Sequence, residues 1–340
     1  MAIVTELIPP RPVLDSDQVA VVTGRSNPVL VREVARILGV QIEEPVTLFQ
    51  DGESHVEIVR NLRRKEVYII QSTGRNIQNP DIPVTANDNI LELIFMIHAA
   101  RRASAKEITV VIPYYGYARQ DRKDKARVTI SAADVANMIV GAGADRILTV
   151  DIHSEQQQGF TNIPWDNIYA SSILLPEIMK HGKNDMVVAS PDVGGTKRAE
   201  NISNILGLHG NIATVHKKRP KANESEALEV IGDVEGKNVL LIDDIIDTAG
   251  TIVHAADLLK KPYGANKIVV VATHGLFTKP ALDRIAASSI DSIYVTDTIA
   301  IPRYITEHPN ITIISIASLL AESIRRIHTG ESISELILTV

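Results

Sequence analysis

Residues 239–251 set two adjacent carboxylates, Asp243 and Asp244, behind four apolar residues and ahead of a turn of small and hydroxylated ones. Apolar side chains on both faces suit a buried parallel strand covered on each side by helices. The acid pair then sits at the carboxyl end of that strand, where open α/β sheets place their ligands. Next come Asp247, Thr248, Ala249, Gly250 and Thr251, which offer backbone N–H groups and hydroxyls around a helix N-terminus, a cradle for phosphate. Acids that accept from sugar hydroxyls beside such a cradle suit a sugar phosphate. For Asp-Asp alone, two solvated helix-capping acids are the plainer reading; the whole stretch favours a site.

Five other segments carry chemically capable side chains. Phe49, Asp51, Gly52 and Glu53 form a turn between strands, with a ring able to stack on a base and carboxylates able to accept from an exocyclic amine. Residues 113–123 concentrate Tyr114, Tyr115 and Tyr117 with Arg119, Gln120, Arg122 and Lys123, which favours a site whose guanidinium groups meet phosphate oxygens. At another strand end, Asp151 and His153 share a face. His153 is either a metal ligand or a hydrogen-bonded core residue. In 190–198, Asp192 precedes Gly194 and Gly195, so a carboxylate suited to hydrated Mg²⁺ lies beside backbone that an anion can approach closely. The run His216, Lys217, Lys218, Arg219, Pro220, Lys221 is a solvated surface or a cationic loop that offsets charge on a transferring phosphoryl group.

These segments must be positioned by strands and helices in alternation, the pattern of a parallel α/β sheet. Strands are expected at 19–23, 67–70, 108–112 and 147–150, with helices at 27–38, 89–102 and 131–142. Asn27-Pro28 reads as an N-cap followed by proline at the first helical position. A second series of strands is expected at 187–189, 239–242, 268–272 and 293–295. Gly143-Ala-Asp-Arg-Ile and Gly264-Ala-Asn-Lys-Ile each lead into an apolar strand, ending near His153 and His274 at the same offset, as a duplication would leave them. The organisation expected is an extension at 1–17, a domain at 18–165, a second at 166–316, and a last helix within 317–340 that the sequence leaves free to pack on the first.

At 340 residues the chain is long enough for two cores, and 45% hydrophobic with 22% charged residues describes an ordinary globular protein. A net charge of -6 gives no global attraction to nucleic acid or to an acidic membrane, so an anionic ligand needs local basic clusters. The count of zero cysteines excludes disulfides and thiolate sites, and suits a reducing cytoplasm. Residues 1–17 lack a basic segment followed by an apolar one, and no apolar run reaches membrane-spanning length.

The stretch 239–251 resembles the signature of the phosphoribosyl diphosphate binding family. The succession F-x-D-G-E, Y-Y-G-Y-A-R-Q-D-R-K, D-I-H-S, S-P-D-x-G-G, K-K-R-P and I-D-D-I-I-D-T-A-G-T, spread from Val19 to Ser334, resembles the class I ribose-phosphate diphosphokinases. The resemblance implies an α/β protein of two similar phosphoribosyltransferase-type domains, each a mainly parallel sheet flanked by helices. It implies transfer of the β,γ-diphosphoryl group of ATP to the C1 hydroxyl of ribose 5-phosphate. Phe49, Asp51, Glu53, Arg119 and Gln120 would meet ATP, the first three across a subunit boundary. Asp243, Asp244 and 247–251 would hold ribose 5-phosphate, His153 and Asp192 would bind Mg²⁺, and Lys217 and Arg219 would act in catalysis from a closing loop. A cytoplasmic homo-oligomer built from dimers, up to a hexamer, is implied as well.

The chain departs from the family where phosphate or ADP regulates it. Asn61-Leu62-Arg63-Arg64 stands for a common Ser-x-Arg-Gly, Glu155 for a small residue, and 332–337 lacks the usual aromatics. Altered phosphate activation or ADP inhibition is therefore expected. A phosphoribosyltransferase and a catalytically silent regulatory subunit of the same fold are the alternatives.

Overall fold

The computed structural model describes residues 14–76, 84–180, 185–218, 227–334 and 336. The described residues of Met1–Ala170, Asp297–Arg303 and Ser315–Thr339 form one compact unit, and those of Ser171–Thr296 and Tyr304–Ile314 a second.

In chain order the first unit begins with β1 (Val19–Thr23), α1 (Pro28–Leu38), β2 (Ile42–Glu43), β3 (Val46–Leu48), β4 (Ser54–Val56) and β5 (Glu66–Ile70). It continues with α2 (Ala86–Arg102), β6 (Glu107–Ile112), α3 (Ser131–Ala142), β7 (Arg146–Val150) and β8 (Trp165–Ile168). Among the described residues its sheet runs β2-β1-β5-β6-β7-β8, all parallel, while β3 and β4 form a separate antiparallel hairpin. The reason for α1 is local: Asn27 accepts from Leu30 N, Pro28 fits the first turn, and Gly39 at φ 69° closes the helix in the left-handed region. The helix α2 starts three residues before the expected 89, because Thr85 and Asp88 form a reciprocal capping box. Leu93, Met96, Ile97 and Ala100 of α2 and Ala132, Ala136 and Ile139 of α3 cover Val67, Ile69, Ile108, Val110 and Ile112 in one apolar core. Each buried large aliphatic contributes roughly 1.5–3 kcal/mol.

The second unit holds α4 (Ser171–Met179), β9 (Met186–Ser190), α5 (Thr196–Ile205), β10 (Ile212–Lys218), β11 (Ala227–Ile231), β12 (Asn238–Ile246) and α6 (Gly250–Lys260). Then come β13 (Lys267–Gly275), α7 (Ala281–Ala286), β14 (Ser292–Thr296), α8 (Arg303–Thr306, opening at the unit's edge) and β15 (Ile311–Ile314). Its sheet, among the described residues, is β11-β10-β9-β12-β13-β14-β15, parallel except for the antiparallel β10–β11 pair. The last helix, α9 (Ala317–Thr329), belongs to the first unit and packs on α1. His328 Nδ1 also lies 2.8 Å from Glu66 Oε2 at the start of β5. The α/β class, with parallel sheets flanked by helices, is as the sequence implied.

Strands β12 and β13, expected to end at 242 and 272, run on to Ile246 and Gly275. Strand β12 does not stop at Ile242 but carries Asp243 and Asp244 inside it, because pairing with β13 continues from Asp243↔Ala272 to Ile246↔Gly275. Strand β10 takes in the start of the cationic run: His216, Lys217 and Lys218 pair with Glu229, Leu228 and Ala227.

Candidate active site

In the second unit, β10, β9 and β12 are neighbours, so the residues at their carboxyl ends share one edge of the sheet. Asp192 lies in the turn after β9 and is exposed. Its Oδ1 accepts from Gly195 N at 3.0 Å, and its carbonyl accepts from Ser190 Oγ at 2.6 Å. A Cβ on Gly195 would come within 2.5 Å of Ser190 Oγ, so a side chain there would have to displace the hydroxyl from the Asp192 carbonyl.

The acid pair is held by a residue that the sequence motifs left unassigned. Arg198, in the first turn of α5, places NH1 3.3 Å from Asp244 Oδ1 and 3.7 Å from Asp243 Oδ1. Asp244 N donates to Asp243 Oδ1 at 2.9 Å. Burial and the neighbouring Asp244 raise the Asp243 carboxyl well above the ordinary carboxylate range, against the opposing pull of Arg198. Two adjacent acids entering a buried strand need a cation, but only the fold, by setting α5 beside β12, shows that it is Arg198.

Past Ile246 the chain turns at Asp247, Thr248 and Ala249, and Ala249 takes φ 59° and is buried. The N–H groups of α6 open from this turn, so Thr248, Gly250 and Thr251 surround a helix N-terminus with its partial positive charge. Asp247 is anchored: Thr278 Oγ1 donates to its Oδ1. Arg284 NH1 donates to Thr248 O at 2.9 Å and would lie 3.2 Å from a Cβ on Gly250. Thr278 and Arg284 come from beyond β13, with no local signal to tie them to this loop.

In the first unit, Arg119 and Gln120 follow β6 and are exposed. The Gln120 amide oxygen accepts from Ser131 Oγ at 2.7 Å. His153 is exposed in the turn after the adjacent β7. Before it, Asp151 takes φ 41°, and its Oδ2 accepts from Ala170 N at 2.9 Å. Phe49, Asp51 and Glu53 form the exposed tip between β3 and β4, as expected. Glu53 N donates to Asp51 Oδ1 at 3.1 Å, and Phe49 packs on His55 with centroids 5.3 Å apart.

Two of the three tyrosines are buried and the third is half-buried. Tyr115 is in the core, where its hydroxyl donates to Ala132 O at 2.8 Å and its ring meets Trp165. Tyr114 is buried near Gly74, and the Tyr117 hydroxyl donates to Asn87 Oδ1. Of Lys217 only the backbone is described, in β10 rather than a loop; Arg219, Pro220 and Lys221 lie outside the described residues.

His153 and Asp192 belong to different units. Among the described residues no three His, Asp or Glu side chains converge on a metal position. Asp192 and His153 are each exposed, and hydrated Mg²⁺ takes few protein ligands, chiefly carboxylate oxygens, completing its shell with water and substrate phosphates. No described helix is long and apolar enough to cross a membrane.

Comparison with known proteins bears on the whole chain. Residues 19–143 match the family model of the N-terminal domain of ribose phosphate pyrophosphokinase, and 211–338 that of the phosphoribosyl synthetase-associated domain. Ribose-phosphate pyrophosphokinases of Chromobacterium violaceum and Burkholderia pseudomallei are each 46% identical over 94% of this chain, and the match covers 95% and 98% of theirs. The crystal structure of phosphoribosylpyrophosphate synthetase from Mycobacterium smegmatis superposes with a TM-score of 0.84 at 37% identity, covering 92% of this chain and 99% of that one. Matched almost end to end by these proteins, the chain belongs to the ribose-phosphate pyrophosphokinase family of enzymes.

Proposed function

We propose that this enzyme transfers the β,γ-diphosphoryl group of ATP to the C1 hydroxyl of ribose 5-phosphate, giving 5-phosphoribosyl 1-diphosphate and AMP. The observation that carries the reading is the Asp243–Asp244–Arg198 cluster beside the N-terminus of α6 in a member of this family. Asp243 and Asp244 accept from the ribose hydroxyls. The N–H groups of 247–251 and the Thr248 and Thr251 hydroxyls hold the 5-phosphate, with Asp247 braced by Thr278. Phe49 stacks on adenine while Asp51 and Glu53 accept from its amine, reaching the nucleotide of a neighbouring subunit. Arg119 and Gln120 meet the triphosphate.

The C1 oxygen attacks the β-phosphorus, the bond to the α,β-bridging oxygen breaks, and AMP leaves with that oxygen while the hydroxyl proton passes to solvent. Two polyanions must meet, so cations have to offset their repulsion before in-line attack. His153 and Asp192 would hold Mg²⁺, which supplies charge neutralisation and polarisation of the phosphoryl oxygens when bound. Lys217 and Arg219 stabilise the charge on the attacked group.

The enzyme acts in the cytoplasm as a homo-oligomer built from dimers. Its phosphate activation or ADP inhibition is altered. The reading rests on the substitutions at 61–64, 155 and 332–337: Asn61 Oδ1 accepts from Arg63 N at 3.0 Å, Arg64 takes φ 64°, and Glu155, which would repel an anion nearby, accepts from the Tyr169 hydroxyl.

A mass-resolved assay with ATP, ribose 5-phosphate and Mg²⁺, with and without inorganic phosphate, tests the reading. AMP and phosphoribosyl diphosphate in equal amounts are expected; no AMP would leave a silent subunit, and an ordinary phosphate activation curve with ordinary ADP inhibition would remove the regulatory part. Lys217→Ala should lower kcat by about 10²-fold or more with little change in ribose 5-phosphate binding.

A further inference from the structure

Glu92 is a fully buried carboxylate on α2, and it is the hub of a polar cluster at the carboxyl edge of the first sheet. Arg25, in the loop after β1, donates from Nε to Glu92 Oε1 at 2.6 Å and from its backbone N to Oε2 at 3.2 Å, and its NH2 also meets Oε1. Gln71, at the end of β5, donates from Nε2 to Glu92 Oε2 at 3.3 Å and accepts at Oε1 from Ser26 Oγ at 2.7 Å. A Cβ on Gly24 would approach Gln71 to 2.8 Å, so the β1 loop lies directly on this amide. Asn76 Nδ2 in turn donates to Arg25 O at 3.0 Å.

A fourth element joins the cluster. Ser54, the first residue of β4 and the one that follows Glu53, donates from Oγ to Glu92 Oε1 at 3.4 Å. The hairpin has little else near its tip: residues 47–53 are all exposed, whereas Ser54 and Val56 turn inward. Val46, Val56 and Ile58 pack on the apolar core and leave the tip to follow wherever its root is fixed. A buried carboxylate demands its partners, because an uncompensated charge in the interior is costly, so the three loops cannot shift independently.

We infer that Glu92 is a positioning residue for the nucleotide: itself held by Arg25, it fixes through Ser54 the root of the hairpin that carries Phe49, Asp51 and Glu53. The inference rests on the proposed contact of that hairpin with ATP. It predicts a selective effect, since Glu92 and Ser54 belong to the first unit, whereas the acid pair and the phosphate cradle belong to the second.

The test uses the full-length chain with Ser54→Ala, Ser54→Thr and Glu92→Gln, measuring KM for each substrate, kcat, and calorimetric binding of ATP with Mg²⁺. Ser54→Ala is expected to weaken ATP binding and raise its KM about three- to tenfold, with kcat and the ribose 5-phosphate KM unchanged and Ser54→Thr restoring the parent value. Glu92→Gln should do the same more strongly; if it fails to fold, Ser54→Ala decides. Unchanged ATP affinity in Ser54→Ala, or equal changes for both substrates, would overturn the inference. If the parent enzyme binds ATP but makes no AMP, the proposed reaction fails while the calorimetric comparison still decides the role of Glu92.

Discussion

Asp243 holds its proton into a range where an exposed aspartate has lost it, because burial and Asp244 both disfavour its charge. A carboxyl raised in the folded state binds more protons there than in the unfolded chain, so stability falls as pH rises from the ordinary carboxylate range through the raised value. Asp243→Asn is therefore expected to melt higher than the parent at neutral pH without substrate, with the gap closing near about pH 4, and to lose ribose 5-phosphate binding. Thermal melts at several pH values and calorimetry with ribose 5-phosphate check both halves. Arg198→Ala removes the cation facing both acids and should lower kcat/KM about tenfold or more, with Arg198→Lys recovering part of it. Among single residues the acids were legible because two adjacent charges directly behind an apolar strand serve no packing purpose. The tyrosines misled: Tyr115 is a large ring with a satisfied hydroxyl, and composition does not distinguish a core tyrosine from a stacking one.

At the level of elements, β-branched runs bounded by helix caps made β1, α1 and α3 readable to within a residue. The ends of β10 and β12 were not, since a strand continues for as long as a partner offers hydrogen bonds, and the partners are distant in sequence. β8 was hidden for a related reason: Asp166 and Asn167 break the apolar pattern, yet Asn167 Oδ1 accepts from Thr149 Oγ1 at 3.1 Å and from Ile152 N at 2.9 Å. The β10–β11 hairpin carries Lys217, and at its base, just after β11, Gly232 takes φ 112°, where a Cβ would run into the carbonyl of Ile212. Gly232→Ala should cost on the order of 2 kcal/mol and lower kcat together with the melting temperature, read by parallel melts and turnover assays. An unaffected variant would mean that the hairpin tolerates displacement without consequence for Lys217.

For the molecule as a whole, each unit contains an aspartate raised by burial. In the second unit it is Asp243; in the first it is Asp297, pushed up to about 6, which accepts from Ile316 N at 2.8 Å, while its carbonyl accepts from Asn27 Nδ2 at 2.7 Å. Both titrate with the same sign, so both make the ligand-free protein less stable at about pH 7 to 8 than around pH 5. Asp297→Asn keeps the acceptor and should flatten that decline, a comparison that melting curves across about pH 4 to 8 settle.

The placement of α9 has a consequence for biosynthesis. Its partner α1 leaves the ribosome early, but α9 is translated only after the entire second unit. Throughout elongation α1 waits without the helix it packs on, so the nascent protein offers chaperones a sticky flank until α9 appears. A chain ending at residue 314 should therefore aggregate or be captured by holdases even though its other helices and both sheets are already encoded.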